Sequence, residues 1–308
     1  MISELIHLIF NFTTNLHTFS LSNNLLEGPI PDGFGKVMNS LELLHLISNK
    51  LQGQIPTSIG NILENNKLQG EIPTSIGNVC TLQILHLENN KLEGEIPASL
   101  GNICTLNNSQ LIREIPQGIG ALKSCTCLYI LDVRENLLFG PIPSWIGESL
   151  QQLQILSLRV NRFFRSVPVH LYYLSQVHLL DLSRNHLSGG IPTSQEFYFN
   201  LCVWNHKFLL NSITLSSNDL LGFISLNLSR SHFYGEIPSK IGNLNSLEFL
   251  NLSINHISGK IPLTLSNINR LAELDISNSN LNGRIPLGRQ LQTFDASSFE
   301  RNIGLCGQ

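Results

Sequence analysis

The 308-residue sequence predicts an α/β solenoid, in which short coils stack side by side and each adds a parallel strand to a shared sheet. Three observations favour this class. An Ile-Pro dipeptide, once replaced by Val-Pro, recurs along the chain; an asparagine or serine precedes every copy by six residues; and leucines alternate with other residues just before that position. All 13 prolines lie in these dipeptides or in a Gly-Pro-Ile-Pro version of them. An internal repeat therefore organises the chain.

The copies of the repeat differ in length. The first dipeptide residue stands at Ile30, Ile55, Ile72, Ile96, Ile115, Ile142, Val167, Ile191, Ile237, Ile261 and Ile285. Most intervals are 24 to 27 residues, but two measure 17 and 19, and one measures 46. The two short intervals fall below the roughly 20 to 29 residues usual for such coils. They predict shortened coils near 62–68 and 106–115, each without part of its strand, and such coils are expected to disrupt stacking.

A complete unit occupies residues 247–262 and reads L-x-x-L-x-L-x-x-N-x-L-x-G-x-I-P, with isoleucine at one leucine position. Leu250 and Leu252 alternate with polar residues, which predicts a short strand with the leucines facing the core. Asn255 is expected to be buried, where its amide satisfies backbone groups of its own coil and of the next one. Gly259 fits a turn with an unusual φ angle. Ile-Pro then begins an extended or 3₁₀ return segment on the convex side.

The position of Asn255 is here called the ladder position. Asparagine occupies it in eight copies and serine, which has fewer hydrogen-bond donors, in three. The residues are Asn24, Asn49, Asn66, Asn90, Ser109, Asn136, Asn161, Asn185, Ser231, Asn255 and Ser279. A continuous row of buried side chains is therefore expected along the solenoid.

Composition excludes several classes of function. The formal charge of −3 offers no electrostatic basis for binding nucleic acid. No apolar run approaches the roughly 18 residues that cross a bilayer, and residues 1–10 lack the basic start and cleavage site of a signal peptide. The six cysteines do not show the paired spacing of a zinc site.

No catalytic motif interrupts the repeat, so the sequence predicts a protein that is not an enzyme and has no cofactor. Asp132, Asp181 and Asp275 recur between strand leucines and are interpreted as part of the repeat. His45 and His86 share one outward strand position. A surface pair is favoured over a metal site there, because no third ligand is evident.

The repeat resembles the plant-specific leucine-rich repeat, which occurs in receptor-like kinases, receptor-like proteins and polygalacturonase-inhibiting proteins. The segments Gly288–Phe294 and Gly304–Gly307 resemble the juxtamembrane end of receptor-like proteins of the xylanase-elicitor-receptor type. The resemblance implies a right-handed superhelix, or horseshoe, with short parallel strands on its concave face and 3₁₀ or extended segments on its convex face. The paired-cysteine N-terminal cap of the family is not found, and Cys306 resembles the first cysteine of the C-terminal cap. The chain is therefore expected to be a fragment or rearranged product of such an ectodomain.

Four segments are predicted on this basis. Residues 1–192 and 213–292 form leucine-rich repeats, and residues 293–308 form an incomplete C-terminal cap. Residues 193–212 break the period inside the 46-residue interval and resemble the remnant of a non-repeat island that interrupts the family's arrays.

The resemblance implies a non-catalytic interaction scaffold, part of a cell-surface receptor-like ectodomain that recognises peptides or microbial elicitors in defence or development. Its expected partners are an extracellular peptide, glycan or protein ligand and a co-receptor kinase. The family resides at the extracellular face of the plasma membrane, although this chain shows neither a signal peptide nor a membrane helix. The alternatives are a secreted polygalacturonase-inhibitor-like protein and a decayed gene product without function.

Candidate sites follow from the predicted strand positions. Arg134 and Arg159 share one outward position and Arg184 lies one position further, which predicts a basic stripe that clamps a peptide carboxylate or an acidic glycan. A solvated surface, with Glu135 neutralising the charge, is the alternative. Four Asn-x-Ser/Thr sequons are candidate glycosylation sites, at Asn11, Asn107, Asn227 and Asn251.

Overall fold

The computed structural model describes residues 18–30, 43–55, 66–78, 84–101, 128–174, 176–191, 224–288 and 290–306. The chain forms two compact units, Met1–Leu153 and Gln154–Gln308. In each unit, short parallel strands stack in two rows, and most described coils have one strand before and one after the ladder residue. This arrangement confirms the predicted fold class.

The first unit pairs its strands across neighbouring coils. The strands are β1 (Thr18–Ser20), β2 (Glu27–Gly28), β3 (Leu43–His45), β4 (Lys50–Gly53), β5 (Lys67–Glu71), β6 (Ile84–His86), β7 (Lys91–Glu93), β8 (Ile130–Asp132) and β9 (Phe139–Pro141). In the first row, β1 pairs with β3 and β6 pairs with β8. In the second row, the order is β2, β4, β5 and β7.

The second unit is more regular. Its first row consists of β10 (Ile155–Ser157), β12 (Leu179–Asp181), β14 (Ser225–Asn227), β16 (Phe249–Asn251) and β18 (Glu273–Asp275). Its second row consists of β11 (Arg162–Arg165), β13 (His186–Gly190), β15 (His232–Glu236), β17 (His256–Lys260), β19 (Asn280–Arg284) and β20 (Gly304–Cys306). Leu226, Leu250 and Leu274 lie in register on three successive strands and are buried, which forms the core.

The return side of the coils begins at proline, as predicted. Pro238 and Pro262 are extended, with φ of −62° and −67°, and each precedes a 3₁₀ helix. The proline carbonyl accepts the first hydrogen bond of that helix, for example from Ile241 N at 3.0 Å. The 3₁₀ helices that follow Ile-Pro or Val-Pro directly are Thr74–Asn78, Ala98–Gly101, Val169–Tyr173, Ser239–Asn243 and Leu263–Asn267, and two more near the C-terminal end are Leu291–Thr293 and Ala296–Ser298. One coil differs, because its return segment is a short α-helix, α1 (Trp145–Ser149).

The ladder asparagines bind two coils at once. Asn255 Nδ2 donates to the carbonyl oxygens of Leu252 in its own coil, at 2.8 Å, and Leu228 in the preceding coil, at 3.0 Å. Its Oδ1 accepts the backbone N–H of Phe233 in that preceding coil, at 3.1 Å. The prediction of contact with the next coil was wrong in direction: each asparagine reaches back. The amide therefore satisfies buried backbone groups that the preceding coil cannot satisfy alone.

The ladder passes through the shortened coil at Asn66. Asn66 Oδ1 accepts from Leu51 N at 3.1 Å, and Leu68 N donates to Asn90 Oδ1 at 3.0 Å. A 17-residue interval thus does not interrupt the ladder, contrary to expectation at this coil. The expected deletion at 106–115 and the expected island at 193–212 lie outside the described residues.

Asn90 and Asn136 belong to adjacent coils in the first unit. Asn136 Nδ2 donates to Leu87 O at 2.9 Å, and Leu92 N donates to Asn136 Oδ1 at 3.0 Å. The two coils therefore bond directly, and Ser109, which the sequence predicts as a ladder residue between them, lies outside the described residues. The sequence pattern missed one ladder residue, Asn302, because no Ile-Pro dipeptide follows it. Its Oδ1 accepts a hydrogen bond from Leu281 N, and its Nδ2 donates to Ile276 O.

Serine does not reproduce the ladder contacts. The hydroxyl oxygens of Ser231 and Ser279 are buried without a hydrogen-bond partner. The expectation that serine hydrogen-bonds at this position was therefore wrong for these two residues. Their short side chains do not span the distance that the asparagine amide bridges in neighbouring coils.

Restoring the amide at Ser279 should stabilise the second unit. Ser279→Asn is expected to raise the free energy of unfolding by about 1–2 kcal/mol, because it adds up to three buried hydrogen bonds and removes an unpartnered hydroxyl. Denaturant unfolding followed by circular dichroism measures the change. The matched Asn255→Ser variant should lose at least as much stability. Equal stability of Ser279→Asn and the unaltered chain would contradict this account of the ladder.

Candidate ligand-binding face

The first-row strands turn three positions in each coil away from the leucine core, and these positions are here called the strand face. In the second unit these positions are Ile155, Ser157, Arg159, Leu179, Asp181, Ser183, Ser225, Asn227, Ser229, Phe249, Asn251, Ser253, Glu273, Asp275 and Ser277. Of these residues, Ser157, Ser183, Ser229, Ser253 and Ser277 are buried. The strands are in register, so that Asn227 lies beside Asn251 and Asn251 beside Asp275. Equivalent residues therefore form columns, with about 4.8 Å between neighbours.

The middle column of the strand face stabilises the backbone. Asp181 Oδ1 accepts the backbone N–H of Ser183 at 3.0 Å, and Asp275 Oδ1 accepts that of Ser277 at 3.1 Å. Asn251 Oδ1 does the same for Ser253 at 3.0 Å. Such bonds between a short polar side chain and a backbone N–H two residues later are typical of tight turns. The aspartates thus belong to the repeat, as interpreted from the sequence.

The first unit carries a compact charged cluster on its strand face. His86 Nδ1 lies 3.2 Å from each carboxylate oxygen of Glu88. Arg134 bridges two acids, with Nη2 at 3.4 Å from Glu88 Oε1 and Nη1 at 3.5 Å from Asp132 Oδ2. The direct pairing of β6 with β8 places His86 opposite Asp132 and so assembles this cluster.

The two acids of this cluster are buried, with relative exposures of 1% for Glu88 and 4% for Asp132. Burial raises the pKa of Asp132 above its usual value of 3.8, and the neighbouring Glu88 carboxylate raises it further. The Arg134 backbone N–H and guanidinium, together with His86, oppose that rise in the pKa. The cluster is therefore a buried set of charges in which Arg134 is the permanent cation.

The cluster adds two acids beside His86. Its expected pairing with His45 is not tested, because the His45 side chain lies outside the described part of the structure. From the sequence no third ligand was evident, but ligand atoms of His86, Glu88 and Asp132 all lie within 4.8 Å of one another. That spacing suits a divalent cation, but Arg134 already lies within ion-pair distance of both carboxylates. The sequence did not reveal this cluster, because the repeat count places another coil between those of Glu88 and Asp132. In the structure, β6 and β8 pair directly.

The three predicted arginines occupy different environments. Arg134 is engaged by Glu88 and Asp132, while Glu135, expected to neutralise it, is exposed in the following turn at φ +55°. Arg159 holds the equivalent strand-face position in the second unit, and its Nε is buried without a hydrogen-bond partner. Arg184 lies in the turn after its strand, exposed and with φ +54°. A carboxylate clamp at these residues remains a prediction.

Two of the four sequons lie within the described residues. Asn227 and Asn251 are half-buried register partners on adjacent strands. The hydroxyl of Ser253 donates to Asn251 Oδ1 at 2.8 Å. Asn11 and Asn107 lie outside the described residues. Glycosylation remains a prediction at all four positions.

Removing the charge of Asp132 should stabilise the first unit at neutral pH. Because its pKa is raised in the folded state, ionisation of Asp132 costs stability as pH rises above about 4. Asp132→Asn keeps the oxygen that accepts the Arg134 N–H, as Asn227 and Asn251 do for their turns. Its melting temperature should therefore exceed that of the unaltered chain at pH 7, with the advantage shrinking toward pH 4.

The matched control is Asp275→Asn, at the same repeat position but more exposed and distant in sequence from Glu88. Its effect should be smaller. Thermal melts between pH 4 and pH 7 measure both variants. A constant difference between Asp132→Asn and the unaltered chain across this range would contradict the assigned cost of burial.

Five segments of the chain match the family model described as Leucine Rich Repeat: residues 15–37, 40–62, 81–103, 176–195 and 246–268. Within the described ranges, no helix has the length and hydropathy needed to span a bilayer.

Similar proteins are plant receptors. Receptor-like protein 35 of Arabidopsis thaliana is 36% identical over 257 residues, covering 76% of this chain and 22% of that protein. Receptor-like protein 18 of the same plant is 28% identical over 269 residues, covering 75% and 31%. Receptor-like protein EIX2 of Solanum lycopersicum is 52% identical over 48 residues, which are 16% of this chain and 5% of that protein. The chain thus spans less than a third of the length of these relatives.

Solved structures show the same fold. The Arabidopsis receptor kinase HAESA, in complex with the peptide hormone IDA and the co-receptor SERK1, aligns with a TM-score of 0.73 and 31% identity, covering 95% of this chain and 42% of that one. The plant peptide hormone receptor RGFR1, in complex with RGF2, aligns with a TM-score of 0.69 and 27% identity, covering 87% and 36%.

A plant ice-binding protein has a TM-score of 0.71 at 24% identity, covers 95% of this chain and 82% of that one, and is similar in fold alone.

The relatives support the prediction of a scaffold without an active site and confirm the resemblance drawn from the repeat. The chain therefore contains leucine-rich repeats and has their fold, and plant receptor-like proteins are among its relatives.

Proposed function

We propose that the chain is part of the ligand-binding ectodomain of a plant receptor-like protein and that its strand face binds an extracellular peptide. The observation that carries this proposal is the strand face of the second unit, where five in-register strands present columns of side chains to solvent. The similarity to HAESA and RGFR1, which are described with bound peptide hormones, supports the same role.

The strand face has the chemistry of a peptide site. Its accessible residues include the hydroxyl and amide groups of Ser225, Asn227 and Asn251, which donate and accept hydrogen bonds without a charge requirement. They also include three carboxylates, at Asp181, Glu273 and Asp275. Leu179 and Phe249 add apolar surface in the first column. Five coils at about 4.8 Å spacing extend over about 19 Å, which an extended peptide of about six residues crosses.

Arg159 is proposed to anchor a carboxylate at one end of that peptide. Its half-buried side chain lies on the strand face and, within the described residues, is in no salt bridge, so its terminal NH₂ groups are proposed to receive the carboxylate. Arg184 lies one coil further, in the exposed turn, and is proposed to contribute a second contact. Arg134 is assigned no such role, because Glu88 and Asp132 already hold its guanidinium.

The remaining parts of the proposal rest on the relatives. A co-receptor kinase is a proposed partner, since the HAESA complex includes the co-receptor SERK1. The extracellular face of the plasma membrane is the proposed location. Receptor-like proteins recur among the relatives, which favours a receptor over a polygalacturonase inhibitor.

A blocking substitution tests the site. Peptides that bind the immobilised chain are identified by mass spectrometry, synthesised and titrated by calorimetry. Ser225→Arg places a long side chain in the middle of the strand face and should weaken binding at least tenfold. Leu263→Arg, on a 3₁₀ helix of the return side and 66% exposed, is the matched control and should bind normally. Equal affinities of the two variants would refute binding at the strand face.

The carboxylate anchor has its own test. Arg159→Ala should weaken binding of a peptide with a free C-terminal carboxylate by about tenfold or more, because a charge-assisted hydrogen bond is lost. The C-terminally amidated form of the same peptide should bind both proteins equally. If Arg159→Ala lowers the affinity for both forms alike, Arg159 does not recognise the terminal carboxylate.

A further inference from the structure

The second-row strands of the second unit carry a column of basic side chains. It stands at the position immediately after the ladder residue and consists of Arg162, His186, His232 and His256, all exposed. The imidazole rings of His186 and His232 are stacked, with centroids 6.1 Å apart. The rings of His232 and His256 are 6.0 Å apart and tilted by 39°. Three successive coils thus present imidazoles at a constant spacing.

Two arginines accompany this column. Arg184 and Arg230 lie in the turns two residues before His186 and His232, with φ of +54° and +52°, and both are exposed. Their backbone N–H groups donate at 2.9 Å to Ser229 O and Ser253 O of the following coils, which fixes the turns. Within the described residues, neither these arginines nor Arg162 is in a salt bridge. These six basic residues are here called the basic edge.

Few acids oppose this charge. The second-row strands from β11 to β19 contain one carboxylate, that of Glu236. Three cations outside the basic edge lie on the same strands. The other titratable and charged side chains on these strands are Arg165, Tyr234, Lys260 and Arg284. The basic edge is therefore electropositive at neutral pH through its arginines. Protonation of the imidazoles, which histidine undergoes between pH 5 and 8, adds to that charge.

We propose that the basic edge binds an acidic peptide segment in extended conformation, with carboxylates at alternate residues. Side chains two residues apart on an extended strand point the same way and are about 6.6 Å apart. The imidazole column repeats at 6.0 to 6.1 Å, so successive carboxylates reach successive rings. Arg184 and Arg230 lie beside the same rings and offer planar donors for these carboxylates.

The fit implies that binding takes up protons. Adjacent imidazolium ions about 6 Å apart repel one another, and a carboxylate between them removes that repulsion. The complex therefore favours the protonated rings, and affinity should be higher at pH 5.5 than at pH 7.5. It should fall again near pH 4, where the acids of the peptide become protonated.

The basic edge and the strand face lie on different rows of strands and share only Arg184, so variants at other positions test the two sites separately. The proposal about the edge does not require that a peptide bind the strand face. Ser225→Arg should leave binding at the edge unchanged, and a negative result at one site leaves the other intact.

The test is calorimetric titration of the full chain with synthetic peptides at pH 5.5 and 7.5. The octapeptide (Glu-Ser)₄ should bind at least tenfold more tightly at pH 5.5 than at pH 7.5. (Gln-Ser)₄ should not bind measurably at either pH. Four glutamates followed by four serines should bind several-fold more weakly than (Glu-Ser)₄, since only two of its carboxylates lie on one side of the extended peptide, too few for the three rings. Equal binding of the two glutamate peptides would overturn the proposed fit.

Variants locate the site. His232→Gln removes the central ring and both ring–ring contacts, and should abolish most of the pH dependence. The double variant His186→Gln/His256→Gln, which keeps the central ring, should also weaken binding. His178→Gln, which lies outside the edge, is the control and should behave as the unaltered chain. Unchanged affinity and pH dependence in both edge variants would overturn the proposal, as would tighter binding of an acidic oligosaccharide of equal charge.

Discussion

The buried amide at the ladder position is the interaction on which the rest of the structure depends. Each coil leaves backbone groups at its turn that its own residues do not satisfy. The asparagine of the following coil satisfies them: Asn255 accepts Phe233 N–H and donates to Leu228 O. An unpaired buried amide or carbonyl costs about as much as a lost hydrogen bond, so a coil is complete only when another stacks upon it. The stacking is therefore required by the backbone as well as by the leucine core.

This constraint fixes the geometry of both exposed rows. Since each rung sets the distance and register between two coils, residues at equal positions form columns without any contact of their own. The middle column of the strand face and the imidazoles of the basic edge are both consequences of that regularity. Where serine replaces asparagine, at Ser231 and Ser279, the rung is lost but the register persists, because the buried leucines on either side continue it.

The local pattern of the repeat predicted the strands, the return turns and the burial of the ladder residues, because each depends on spacing within one coil. It did not predict which coils are neighbours. Asn136 bonds the coil of Asn90 directly, and only that adjacency brings Asp132 beside Glu88. The direction of the ladder was missed for the same reason. The sequence of a single coil specifies which hydrogen bonds a side chain can donate or accept. The order in which the coils stack determines which residue is its partner.

The position after the ladder residue shows how one frame supports different surfaces. In the first unit it holds Lys50, whose ammonium pairs with Glu27 at 3.4 Å. In the second unit the same position holds Arg162 and the three histidines, and Glu236 is the one acid on the strands from β11 to β19. The ladder and the leucines make no demand on this residue, since it points to solvent. Cations occupy this position in both units, since the first unit also holds Lys67 and Lys91 there, beside Glu71 and Glu93. The uncompensated column in the second unit is therefore a surface feature that the fold itself does not require.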